Sequence, residues 1–119
     1  MISVVCLYPD RDPEAMTVDS TSSYIARTLG EGSNPTFLGS ADNGGDTGVF
    51  LMGDAKAQRD GAPVDRSAVP PPFSTDTGPL RGMLIITKLR YHDEASLPTP
   101  IDYTMADYRR HMSSARCSH

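Results

Sequence analysis

The residue types best suited to catalysis stand together in His92-Asp93-Glu94, directly after the longest apolar run of the chain, Met83–Tyr91. Active sites do occur where strands end, and nucleophilic catalysis needs a Ser or Cys beside a His that an acid orients. The chain has no G-x-S-x-G nucleophile elbow, and its three histidines leave little choice of base. The segment is therefore more typical of a surface turn, and a hydrolase built on His92 is the less favoured interpretation.

A second candidate is the glycine-rich segment 42–46, which begins and ends with a carboxylate, Asp42 and Asp46. A phosphate-binding loop would need a Lys before a helix, and neither follows here. Counted from Asp42, an EF-hand loop would need Gly at the position of Thr47 and Glu at the position of Gly53. Asp42 and Asp46 could hold a divalent cation loosely, but the sequence favours a solvated hairpin turn.

Soft metal ligands occur near the C-terminus as His111, Cys117 and His119. A structural zinc site takes four ligands in closed, recurring spacing such as C-x₂-C, whereas this end offers a single Cys-x-His. We therefore predict no metal ligands, no catalytic residues and no cofactor. The other cysteine, Cys6, stands in an apolar stretch, which predicts a small buried side chain.

Two segments have the composition of protein-binding surfaces. Val69–Phe73 contains three consecutive prolines and could form a polyproline II ligand for an aromatic-lined groove, although a rigid spacer is the favoured interpretation. Near the C-terminus, apolar residues recur at helical spacing and form one face, which either packs on the chain's own sheet, as favoured, or docks on a second copy. The predicted interaction surface comprises Pro70, Pro71, Pro72, Phe73, Met105, Tyr108 and Met112.

Charge and length narrow the function classes. The 119-residue chain carries 11 basic and 15 acidic residues, a net charge of -4, and it has no basic stripe. Because phosphate contacts supply most of the affinity of nucleic-acid-binding proteins, nucleic acid and anionic membranes are disfavoured as partners. No signal peptide or membrane span is recognisable, so we expect a cytoplasmic protein.

The apolar run at 83–91 must form the centre of the fold, because its first positions are apolar on both faces while Lys88 and Arg90 turn to water near its end. Alternating residues predict another inner strand at 2–8, and 15–18 returns beside it as a hairpin. Further strands are predicted at 36–38 and 49–52.

Helices are predicted at two places. Several N-cap side chains precede the apolar face of residues 20–29, and Gly30 stands where a glycine would end that helix. The second helix follows Ile101, with Asp102 or Thr104 as its cap. Residues 53–81 lack sustained periodicity, which predicts a long irregular loop.

The order of these elements, the start Ile2–Val5, the turn 9–14 leading into 15–18, and Gly78-Pro79 before the apolar strand resemble a small domain family of unknown function from phages and large DNA viruses. The resemblance covers about residues 2–88. It implies no known activity and transfers no functional residue.

The sequence thus predicts an α+β protein with a mostly antiparallel sheet of about five strands, packed by one helix. Residues 1–91 form a single core domain, and 92–119 form a C-terminal arm with a second short helix. The best-supported function is a non-catalytic protein-interaction or adaptor module, with a protein partner or a homodimer through the arm. The alternative is a small enzyme or a metal- or anion-binding protein that uses Asp42 and Asp46 or His92-Asp93-Glu94.

Overall fold

The computed structural model describes residues 1–19, 24–30, 32–42, 46–64, 69, 80–91 and 98–117. Three helices and six strands lie within these ranges. They are β1 (Ile2–Leu7), β2 (Glu14–Val18), α1 (Tyr24–Leu29), β3 (Pro35–Asp42), β4 (Thr47–Asp54), α2 (Ala55–Asp60), β5 (Leu84–Arg90), β6 (Thr99–Ile101) and α3 (Met105–Cys117).

The strands form one sheet in the order β2-β1-β5-β4-β3, and each neighbouring pair is antiparallel. The short strand β6 pairs with the last residues of β5, beyond the point where β1 leaves it. The predicted α+β class with a mostly antiparallel sheet is therefore confirmed, and β5 is its central strand. No helix in the described residues is long and apolar enough to cross a membrane.

Both faces of the sheet are apolar because inner strands alternate their side chains between two cores. On β5, Leu84 and Ile86 point to one core and Ile85 points to the other, and all three are fully buried. On β1, Val5 and Leu7 join the first core, while Val4 and Cys6 join the second.

The first core lies under α3, and we call this side of the sheet the α3 face. Tyr103 and Tyr108 are buried here against strand residues, and Met105 and Met112 are partly buried beside them. The C-terminal segment that was predicted as an arm therefore contributes a strand to the sheet and a helix to the main core. The apolar face of this helix is predicted either to pack on the chain's own sheet, as favoured, or to dock on a second copy. The structure shows it packed on the chain's own sheet.

The second core lies under α1, and we call this side the α1 face. Tyr24, Ile25 and Leu29 pack against Ile85 and neighbouring strand residues. The Tyr24 hydroxyl shares a buried hydrogen bond of 2.8 Å with the hydroxyl of Thr87 on β5. As predicted, Gly30 ends the helix, with a positive φ of 116°.

The start of α3 is fixed by a capping box. The Thr104 hydroxyl accepts a hydrogen bond from the Asp107 backbone N–H at 3.2 Å, and the Asp107 carboxylate accepts one from the Thr104 N–H at 2.9 Å. Of the two predicted caps, Thr104 therefore fills this role. Asp102 instead accepts a hydrogen bond from the backbone N–H of Ser3 at 2.8 Å, which ties the segment before α3 to β1.

The irregular segment predicted at 53–81 contains α2, and hydrogen bonds join its first part to residues 80 and 81. The Val64 N–H donates to the Leu80 carbonyl at 2.8 Å, and both side chains are buried in the core. The Gln58 side chain donates to the Arg81 carbonyl at 2.6 Å and accepts from the Arg81 N–H at 3.1 Å. Val64 and Leu80 therefore lie side by side in the fold.

Candidate interaction surface

Three aromatic side chains, from β3, from β4 and from the residue after β5, form a row on the α1 face. Val49 and Leu51 of β4 point to the α3 face, so Phe50 between them points to the opposite side. Its ring centroid lies 6.0 Å from that of Phe37 on β3 and 6.4 Å from that of Tyr91, the residue after β5. We call Phe37, Phe50 and Tyr91 the aromatic row.

The aromatic row is exposed because α1 covers only part of its face. The side chains of this six-residue helix pack on Ile85 and on residues of β1 and β2, its backbone crosses near β3, β4 and β5, and no member of the row belongs to the core beneath it. Phe37 is 56% exposed and Tyr91 is 42% exposed. Within the described residues they are, with Met1, the large hydrophobic side chains most open to solvent. Neighbouring aromatic side chains that are exposed to solvent are typical of binding sites for other molecules.

The geometry of the row depends on Gly48. A Cβ atom at this position would lie 2.9 Å from the Tyr91 hydroxyl oxygen and 3.2 Å from Cζ of Phe50. Both distances are shorter than an ordinary van der Waals contact. Glycine therefore allows the Tyr91 ring to lie against β4 and meet Phe50 edge-on, at an interplanar angle of 85°.

Asp46 and Arg90 form an ion pair close to the backbone of Tyr91. The Asp46 carboxylate lies 3.9 Å from Nε of Arg90, and both side chains are largely exposed. The Asp46 carbonyl accepts a hydrogen bond from the Tyr91 N–H at 2.6 Å, which fixes the backbone next to the tyrosine. The ion pair is worth little in free energy because water screens it.

The alternative interpretation of Asp42 and Asp46 as a loose cation site gains little from this arrangement. Asp46 faces Arg90, and the backbone of Asp42 pairs with Gly48, while the Asp42 side chain and residues 43–45 lie outside the described residues. In the parts of the chain that are described, no group of three or more His, Cys, Asp or Glu side chains is placed to hold a metal ion.

Two further candidates lie outside the described residues, namely His92-Asp93-Glu94 and Pro70–Phe73. The remaining predicted surface residues are found on α3. Tyr108 is only 7% exposed, and Met105 and Met112 pack beside it against the core. In this chain they therefore bind the helix to its own sheet and do not form an open patch.

Three titratable groups that could take part in catalysis, Cys6, Tyr103 and His111, are held in unreactive surroundings. Burial raises the pKa of Cys6 to about 11, so its thiol stays protonated at neutral pH. Burial likewise raises the pKa of Tyr103, whose hydroxyl lies 2.7 Å from Nδ1 of His111. His111 stacks on the same ring, and burial lowers its pKa. Tyr103 is completely buried, so this pair presents no hydroxyl to a substrate.

Sequence reasoning did not identify the aromatic row. The sequence signal that could have shown it is the alternation of side chains along β4, since Phe50 stands between Val49 and Leu51, which face the core.

Comparisons of the chain with models of protein families, with curated proteins and with solved structures found no match. The resemblance to the viral domain family therefore stays a prediction.

Proposed function

We propose that this protein is a non-catalytic protein-interaction or adaptor module, and that a partner protein binds the aromatic row. One observation carries the proposal: Phe37 and Tyr91 are held open to solvent on an ordered sheet, outside the part of that face on which α1 packs. Exposing aromatic surface costs free energy in water, and aromatic residues are enriched at the centres of protein interfaces.

The arrangement of the rings favours a protein over a nucleic acid or a sugar. Neighbouring rings are inclined at 59° and 85°, so they offer no shared plane on which bases or sugar rings could stack. Arg90, the neighbour of Tyr91 in the sequence, faces Asp46, and the chain carries a net charge of -4. These features favour aliphatic side chains that fit between tilted rings.

The row has the size of a binding hot spot. An aromatic side chain buries about 150–250 Å². With roughly half of each ring exposed, Phe37 and Tyr91 together offer about 200 Å². A standard interface buries about 800 Å² on each partner, so the partner must also contact the surrounding surface. Pro70–Phe73 remains a second candidate contact on the grounds of its composition.

The competing proposal, a small enzyme or a metal- or anion-binding protein, has weaker support. It requires either Asp42 with Asp46 or His92-Asp93-Glu94. Asp46 is largely exposed and faces a guanidinium group, which competes with a cation for its carboxylate.

The proposal is tested by affinity capture followed by reconstitution from purified components. Phe37→Asp places a charge in the row, and Ala15→Asp places the same charge at an exposed site on β2, the opposite edge of the sheet. We expect a captured partner, once purified, to bind Phe37→Asp about thirtyfold more weakly than the wild-type chain. Ala15→Asp should bind like the wild type. If every purified partner binds the two variants equally, the row is not the binding surface.

A further inference from the structure

We draw no further inference here: the strongest candidate, the groove of about 270 Å³ between the edge strand β2 and helix α1, is lined by the apolar Met16 and Val18 together with the oppositely charged Asp19 and Arg27, and nothing in the described part of the structure shows what covers it.

Discussion

The ring of Tyr91 lies against the backbone of Gly48, with so little space between them that a single added methyl group would stand 2.9 Å from the tyrosine hydroxyl oxygen. This contact holds the last aromatic ring of the row in place beside Phe50. The glycine therefore contributes to the proposed binding surface although it has no side chain of its own.

Gly48→Ala should destabilise the protein by about 1–3 kcal/mol, because the new methyl group overlaps Tyr91 and Phe50. Urea unfolding of the wild type, Gly48→Ala, Tyr91→Ser and the double variant measures the effect. In the Tyr91→Ser background, Gly48→Ala should lower the free energy of unfolding by less than it does in the wild type. The difference between the two effects is the coupling free energy of the two positions. Strict additivity of the two substitutions would show that Tyr91 does not pack on Gly48.

The buried hydrogen bond between Tyr24 and Thr87 should contribute to docking of α1 on the sheet. Tyr24→Phe removes one hydroxyl and leaves Thr87 without its buried partner, at an expected cost of about 1–3 kcal/mol. Thr87→Val removes the other hydroxyl with little change in shape. The double variant should cost less than the sum, since neither group is then left unpaired. Thermal unfolding of the four proteins provides the measurement.

Tyr108 should be essential to folding because it anchors α3 in the main core. Tyr108→Ala should lower the free energy of unfolding by about 3–5 kcal/mol, the usual cost of removing a buried aromatic side chain. Arg109→Ala changes the next, exposed residue of the helix and should alter stability by less than about 0.5 kcal/mol. Equal effects of the two substitutions would show that α3 does not pack as described.

His111 should make stability depend on pH below neutrality. Burial lowers its folded pKa from the ordinary 6.5, with Asp107 opposing that shift and Arg110 and Lys88 adding to it. The unfolded chain then binds a proton at a higher pH than the folded chain, so stability is full above pH 6.5 and falls as the pH drops toward the folded pKa.

The role of His111 is checked by denaturant unfolding across this pH window. The wild type should lose stability on acidification, and His111→Gln, which keeps a hydrogen-bonding group near Tyr103, should lose less. An NMR titration gives the folded pKa of His111 directly. A value at or above 6.5 would contradict the buried, neutral state of the ring.

Asp107 should also make the folded state less stable on acidification, but at a lower pH than His111 does. Burial alone would raise its pKa, but hydrogen bonds from Thr104 and the charges of Arg110 and Lys88 outweigh burial and lower it below 3.8. The stability from this carboxylate is therefore present above pH 3.8 and is lost only as the pH falls through the folded pKa, which separates it from the histidine.

The strands of the fold could be predicted from alternation, because alternate positions of β1 and β5 must enter different cores. The strand β6 could not be predicted in this way, because Pro98 and Pro100 interrupt any alternating pattern and its pairing with β5 depends on a long-range contact. The exposure of Phe37 and Tyr91 could not be predicted either. Alternation gives the face on which a side chain lies, but whether α1 covers that face depends on where a short helix crosses the sheet.

The central proposal is tested most directly by site-specific photo-cross-linking in cells that produce the protein, with benzoylphenylalanine at position 37, 91 or 15. Positions 37 and 91 report on the aromatic row, and position 15 is an exposed site on the opposite edge of the sheet. We predict a cross-link to the same second protein from 37 and 91, and none to that protein from 15. Adducts that are the same from all three positions, or absent from 37 and 91, would contradict the proposed binding surface.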